Sequence, residues 1–205
     1  MENSEMETDV NEPIEQQPEK KTKNFLSNLH DVVFWVAGVL LVFSLLFRVV
    51  VVSGESMENT LLHGDWVLLL SNVFYRNPEP GDVVVICKES YDNGTPIIKR
   101  VIATEGQEVD IDFDEGVVYV DGKPLTEPYT LTPTNNHEGM DFPVKVPKGC
   151  IFVLGDNRNK SKDSRSEEIG FIDKREILGK AIFVLFPGKS VITQNRDLNR
   201  IGVIS

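Results

Sequence analysis

The chain has 205 residues, 40% of them hydrophobic and 26% charged, and a formal net charge of -11. That acidic balance excludes nucleic acid as a partner, because binding phosphates needs a basic face. With an acidic tail and a long apolar run set aside, about 150 residues remain, enough for one compact domain with a small insertion.

Met1–Glu19 carries Glu2, Glu5, Glu7, Asp9, Glu12, Glu15 and Glu19 and no basic residue. Such a segment cannot bury enough apolar surface to fold, so residues 1–24, closing on Lys20, Lys21 and Lys23, read as a disordered tail with a basic flank. Val32–Phe47 is then wholly apolar apart from Gly38 and Ser44, and Val49–Val52 continues the run past Arg48. As one helix this stretch reaches roughly 30 Å, the thickness of a bilayer's hydrocarbon core. A cleaved signal peptide would show a shorter core and a small-x-small site, and a soluble helix would be amphipathic. Neither fits, so residues 25–52 are read as a membrane anchor, with Arg48 snorkelling to the interface. The lysines ahead of the span outnumber Arg48 behind it, which predicts a cytoplasmic amino terminus and places residues 53–205 outside.

From Asp65 onward the pattern turns to short β-branched runs broken by turns. Trp66–Leu70, Val83–Ile86, Ile97–Ala103, Val109–Phe113, Val117–Val120, Val144–Val146, Ile151–Leu154 and Ala181–Phe186 read as strands. Asp121-Gly122 signals a tight hairpin between Val117–Val120 and Lys123–Leu125. The fold class is therefore mainly β, an antiparallel sheet domain behind one transmembrane helix, with Thr104–Lys148 as a small inserted excursion. Cys87 and Cys150 sit in strand-like runs and read as free thiols rather than a disulfide. No Cys/His cluster suggests a metal, and no cofactor is expected. His30, His63 and His137 are scattered.

Three stretches could carry chemistry. In Ser53–Leu61 (SGESMENTL), Ser56 follows the apolar run by four residues, in a turn whose Gly54 can expose a hydroxyl. In Ile97–Ala103 (IIKRVIA), Lys99 and Arg100 stand side by side within an apolar strand. Alternation puts Ile97, Lys99 and Val101 on one face and Ile98, Arg100 and Ile102 on the other. Both faces are apolar, so desolvation would lower the Lys99 pKa as a general base requires; the competing reading is a sheet edge with both cations in water. Gly155–Arg165 (GDNRNKSKDSR) offers Asp156, Asn157 and Asp163 as oxygen ligands for calcium, but Arg158, Lys160, Lys162 and Arg165 argue for an ion-pair network instead. A serine nucleophile with a buried lysine base and no well-placed histidine makes a Ser–Lys dyad.

The order single span, SGESM-x-x-TL, KRVI, then GDNR-x-x-S-x-DSR resembles the bacterial type I signal peptidases, in the compact form found in Gram-positive bacteria. The similarity runs from the span through Phe186. The resemblance implies a membrane-bound serine endopeptidase that removes signal peptides from secretory preproteins after an Ala-x-Ala-like site. It implies Ser56 as nucleophile, Lys99 as neutral general base, and Ser161 as the hydroxyl that hydrogen-bonds and orients the lysine. Asp163 would pair with Arg100 or Arg165. The Ser56 N–H, helped by the Gly54–Glu55 turn, would form the oxyanion hole. Met57 and Leu61 would line shallow pockets for small side chains, and the substrate would lie extended beside Val52–Ser56 and Ile97–Lys99, with Ile97 and Ile98 in contact. Membrane lipid is the other implied partner; no feature sets an oligomeric state. Two positions depart from the family pattern: Asn59 stands where proline is usual, and Ala103 where KRVI is usually followed by glycine. A self-cleaving Ser–Lys protease of the repressor type shares the dyad but would need a DNA-binding domain. A non-catalytic, membrane-anchored β domain that binds partners would not explain the co-occurrence of the three stretches.

Overall fold

A computed structural model describes residues 19–189 and 196–204, with side chains from residue 28 onward. Of the tail expected to be disordered, residues 1–18 lie outside the described residues, while residues 19–24 are instead the first turns of a helix. Helix α1 (Glu19–Leu46) contains the window Asn28–Leu46, of mean hydropathy 2.1 and with none of its residues buried. A helix apolar on every side and uncovered by protein is suited to lipid.

The helix ends earlier than the hydropathy suggests. Phe47–Val51 is strand β1, paired in antiparallel register with β2 (Trp66–Ser71), Val51 opposite Trp66 and Phe47 opposite Leu70. The expected helical run to Val52 is thus corrected: only its first part is helix. Val49, Val50 and Val51 are β-branched, stiff at χ1 and better suited to a pleated surface, and β2 offers them a ladder.

Residues 43–205 form one compact unit. After β1 and β2 come β3 (Val83–Ile86), β4 (Ile97–Thr104), β5 (Glu108–Asp112), β6 (Val117–Val120), β7 (Lys123–Pro124), β8 (Val144–Lys145), β9 (Cys150–Leu154), β10 (Ile172–Asp173), β11 (Ile177–Phe186) and β12 (Gly202–Val203). Among the described residues these make an eight-stranded antiparallel sheet in the order β1-β2-β11-β3-β4-β9-β10, with β12 added to β11, and a four-stranded sheet in the order β7-β6-β5-β8. The second sheet is the excursion foreseen at 104–148. Its hairpin turns at Asp121 and Gly122, both at positive φ (51° and 71°), as an Asp-Gly type I′ turn requires.

Alternation decides the core. In β5, Val109 and Ile111 point inward while Glu108, Asp110 and Asp112 face water. They pack with Val118, Val120 and Val146 against Ile102, Ala103, Phe152 and Leu154 of the larger sheet, so both sheets share one apolar layer. A second cluster gathers Val52, Met57, Leu61, Val67, Leu69, Val83, Val85, Ala181 and Val184. Each of the larger side chains among these, the valines, leucines, isoleucines, Phe152 and Met57, contributes about 1.5–3 kcal/mol on burial. This second cluster anchors the serine turn, because Met57 and Leu61 belong to it. Cys87 and Cys150 are free thiols, both half-buried.

Candidate active site

The serine turn is a closed loop. At its neck the Val52 N–H donates to the Asp65 carbonyl and the Gly64 N–H to the Val52 carbonyl, both at 2.9 Å. Inside it the Leu61 N–H donates to the Met57 carbonyl at 2.8 Å, and Met57 and Leu61 are 2% and 0% exposed. The turn is thus held by its apolar side chains. This corrects one expectation: Met57 and Leu61 are core residues with almost no surface to line an open pocket. Ser56, between them and the polar rim, stays partly exposed.

Strand β4 delivers the lysine. Val84 pairs with Lys99 on one side, while pairing to β9 begins only at Arg100, opposite Leu154. Lys99 is 3% exposed and its Nζ donates to Ser56 Oγ at 2.8 Å and to the Ile98 carbonyl at 3.0 Å. Burial lowers its pKa from 10.5 to about 8, overcoming the opposing pull of Asp163, Glu138 and Asp156. The sheet-edge alternative, with both cations in water, is excluded by the burial.

Arg100 points to the other face and is 1% exposed. Its Nε and Nη2 grip Asp156 Oδ1 and Oδ2 at 2.9 and 2.8 Å, Nη1 donates to the Gly81 carbonyl at 2.8 Å, and the Tyr129 ring stacks 3.9 Å from the guanidinium carbon. The expected choice of partner for Asp163 therefore resolves to Arg165, whose Nε and Nη2 reach its two oxygens at 2.8 and 2.9 Å; Arg100 belongs to Asp156. Arg158 completes a third fork, onto Glu127, at 2.9 and 2.5 Å. All three guanidinium groups are buried, and each has a bidentate carboxylate, as buried charge demands.

These forks hold the loop after β9 rigid, and the loop in turn holds the serine. The Asn157 N–H donates to the Ser56 carbonyl at 3.0 Å and its side-chain amide to the Glu55 carbonyl at 3.2 Å. Thr60 Oγ1 donates to Asp156 Oδ2 at 2.5 Å. At Gly155 any Cβ would strike Ser161 Oγ and the Ser56 carbonyl oxygen, so only glycine lets the two segments approach.

One further expectation is not met in this structure: Lys99 Nζ donates to Ser56 Oγ and the Ile98 carbonyl, and the buried Ser161 hydroxyl has no hydrogen-bond partner among the described residues. The Gly54 N–H donates to His63 Nδ1 at 3.2 Å. The Ser56 N–H makes no hydrogen bond among the described residues. Asn59 is exposed, and the Glu58–Asn59 peptide is cis. Ala103 fills the core between the sheets. Asp156, Asn157, Thr60 and Glu127 brace the site in ways that the sequence pattern does not indicate. Asp156 and Asn157 lie in the motif loop, but the partners they brace, Arg100, Thr60 and Glu55, are 56 to 102 residues away and nothing in the local pattern names them. Among the described residues no group of three His, Cys, Asp or Glu side chains gathers to hold a metal.

A serine hydroxyl set 2.8 Å from a buried amine suits nucleophilic hydrolysis without a metal ligand set, and it stands on a mainly β unit behind one apolar helix. Known proteins resemble this chain. The family model described as signal peptidase, peptidase S26, matches residues 26–186. A probable signal peptidase I-1 of Synechocystis sp. is 40% identical over 163 residues, 73% of this chain and 79% of that protein. Signal peptidase I T of Bacillus subtilis is 35% identical over 190 residues, 89% of this chain and 96% of its own length. A solved signal peptidase I from Enterococcus faecalis V583 aligns at 30% identity with a TM-score of 0.42, covering 51% of this chain and 96% of that one. The chain belongs to the signal peptidase family, peptidase S26. It is a membrane-anchored serine protease of the signal peptidase I type, and its substrates are preproteins bearing signal peptides.

Proposed function

We propose that Ser56 and Lys99 cleave preproteins after a small-x-small site through an acyl-enzyme. The observation that carries this is the 2.8 Å separation of Lys99 Nζ and Ser56 Oγ, with the amine buried and its pKa lowered to about 8. With the amine neutral, the Ser56 hydroxyl donates across that contact. Oγ attacks the scissile carbonyl carbon and its proton passes to Nζ. As the C–N bond breaks, the Lys99 ammonium returns that proton to the leaving amine. Water then attacks the acyl-serine, giving one proton to Nζ, and the proton on Nζ is handed back to Ser56 Oγ as the acid leaves.

The carbonyl oxygen develops charge beside the Ser56 N–H, and one such donor is worth roughly 3–4 kcal/mol of barrier. The peptide lies along the open edge of Ile97–Lys99, which β3 pairs on one side only, and beside Ser53–Ser56 past the neck of the loop. Met57, Leu61 and Ile98 form the apolar floor rather than open pockets, which suits side chains as small as alanine. Asp163, through Arg165, fixes the loop carrying Ser161. The amino terminus is cytoplasmic and the β unit acts on the outer face. Membrane lipid meets the outward side of β1, β2 and β11, where Val49, Val51, Trp66 and Phe186 share one exposed apolar face that begins directly after α1.

The test is cleavage of a defined preprotein with an Ala-x-Ala site by the detergent-solubilised chain. Ser56→Ala and Lys99→Ala each lose processing while keeping the wild-type circular dichroism. Near-normal turnover by Lys99→Ala would remove the lysine from the mechanism.

A further inference from the structure

The stretch matched by the family model ends at residue 186, and the chain beyond it reaches back to the serine turn. Residues 196–204 form an arm. Its short helical turn Leu198–Arg200 is capped by Asp197, whose carboxylate accepts the Asn199 N–H at 3.0 Å. Strand β12 then pairs with β11, Val203 opposite Phe183 and Gly202 opposite Val184, and the Ile204 N–H donates to the Ile182 carbonyl at 3.1 Å. Ile204 also packs on the apolar cluster that holds Met57 and Leu61.

This seat carries Arg200 onto the last residue of the serine loop. Nη1 donates to Asp65 Oδ1 at 2.8 Å, and Nη2 to Asp65 Oδ2 at 2.7 Å and to the Thr60 carbonyl at 3.1 Å. Asp65 is fully buried. Its other contacts are the backbone N–H groups of Leu62 (2.8 Å) and Gly188 (2.7 Å), so Arg200 supplies its one cation among the described residues. Thr60 is therefore gripped twice, by its hydroxyl on Asp156 and by its carbonyl on Arg200. Ser56 lies in the same loop, four residues before Thr60, its own carbonyl tied to the Asn157 N–H.

We propose that Arg200 is a positioning residue: the arm clamps the outer side of the serine turn, through Asp65 and Thr60, and so holds Ser56 Oγ in reach of Lys99. This rests on the Ser56–Lys99 reading above. A planar fork is needed, since one guanidinium satisfies both carboxylate oxygens and a carbonyl at once, whereas an ammonium offers a single point charge. A shift of the turn by a fraction of an ångström lengthens the contact between the reacting atoms and lowers the rate of attack rather than the affinity for the peptide.

The full-length chain in detergent, with one defined preprotein, tests this at a temperature where every variant is folded by circular dichroism. Arg200→Ala is expected to lower kcat about 10- to 100-fold with KM within about twofold. Arg200→Lys is expected to recover part of that loss, and it remains informative should Arg200→Ala not fold. Wild-type kcat in a folded Arg200→Ala, or in Arg200→Lys where only that variant folds, would overturn the proposal and leave the arm a merely stabilising element. A raised KM with kcat unchanged would overturn it in favour of a substrate-binding role. Ser56→Ala and Lys99→Ala, run alongside, separate the two readings. If either stays active the dyad reading has failed; if both are inactive and Arg200→Ala is normal, only the clamp has failed.

Discussion

Strands β4 and β5 both carry charge, and they handle it in opposite ways. In β5 the charges alternate with valine and isoleucine, so Glu108, Asp110 and Asp112 all face water while Val109 and Ile111 enter the core. In β4 two cations are adjacent, so alternation sends Lys99 and Arg100 to opposite faces, and both faces are covered. Arg100 is satisfied by the Asp156 fork. Among the described residues Lys99 has no carboxylate within bonding distance, and burial drives it toward its neutral form. Paired burial gives a brace, and unpaired burial gives a base. The same contrast recurs within the loop after β9, where Arg158 and Arg165 are buried in forks while Lys160 and Lys162 hold exposed pairs with Glu55 and Glu168.

Breaking that contrast at Lys99 has the largest expected effect. Lys99→Met keeps the stem and removes the amine, so processing should fall by at least about 10⁴-fold. Thermal stability should stay level or rise, because an unpaired amine is costly to bury. A marked loss of stability would mean that the amine contributes to the fold. Asp156→Ala makes the opposite break, leaving the Arg100 guanidinium buried without its carboxylate. It should cost about 3–5 kcal/mol in urea unfolding; a cost below about 1 kcal/mol would show that the other contacts of Arg100 satisfy it without that carboxylate.

The proton on Lys99 sharpens the comparison further. Cleavage should rise about tenfold per pH unit below the Lys99 pKa of about 8 and level off above it, because the neutral amine is the competent form. A profile flat from pH 6 to 9 would contradict this. Asp163, Glu138 and Asp156 pull that pKa upward, so Glu138→Gln should move the rising limb to lower pH, by less than about one unit. A shift to higher pH would show that Glu138 does not act on Lys99 through its charge. The smallest effect belongs to β5: Glu108→Gln should change unfolding free energy by under about 0.5 kcal/mol, measured by urea denaturation. A larger change would mean that this face is not simply solvated.

Much of this was readable in advance, for local reasons. Strand positions follow from β-branched runs and turn residues, and the Asp121-Gly122 hairpin sits where its dipeptide indicates. The apposition of Ser56 and Lys99 was legible because two short, unusual motifs had only one joint chemical use. The end of α1 was not: Phe47–Val51 is as hydrophobic as the helix, and only its ladder with β2 makes it strand. The partner of the Ser161 hydroxyl is not legible either, because it depends on side-chain rotamers.

Sequence alone determined that a serine follows an apolar span, that a lysine lies in an apolar strand, and that a dense polar loop follows a third apolar run. Periodicity and composition act over a few residues and need no partner to be recognised. The tertiary structure alone decided which carboxylate each arginine takes, that Met57 and Leu61 are core, and that Arg200 returns over 135 residues of chain to close on Asp65. Such pairings are set by where strands cross in space, and a buried charge accepts whichever partner the sheet brings within about 3 Å.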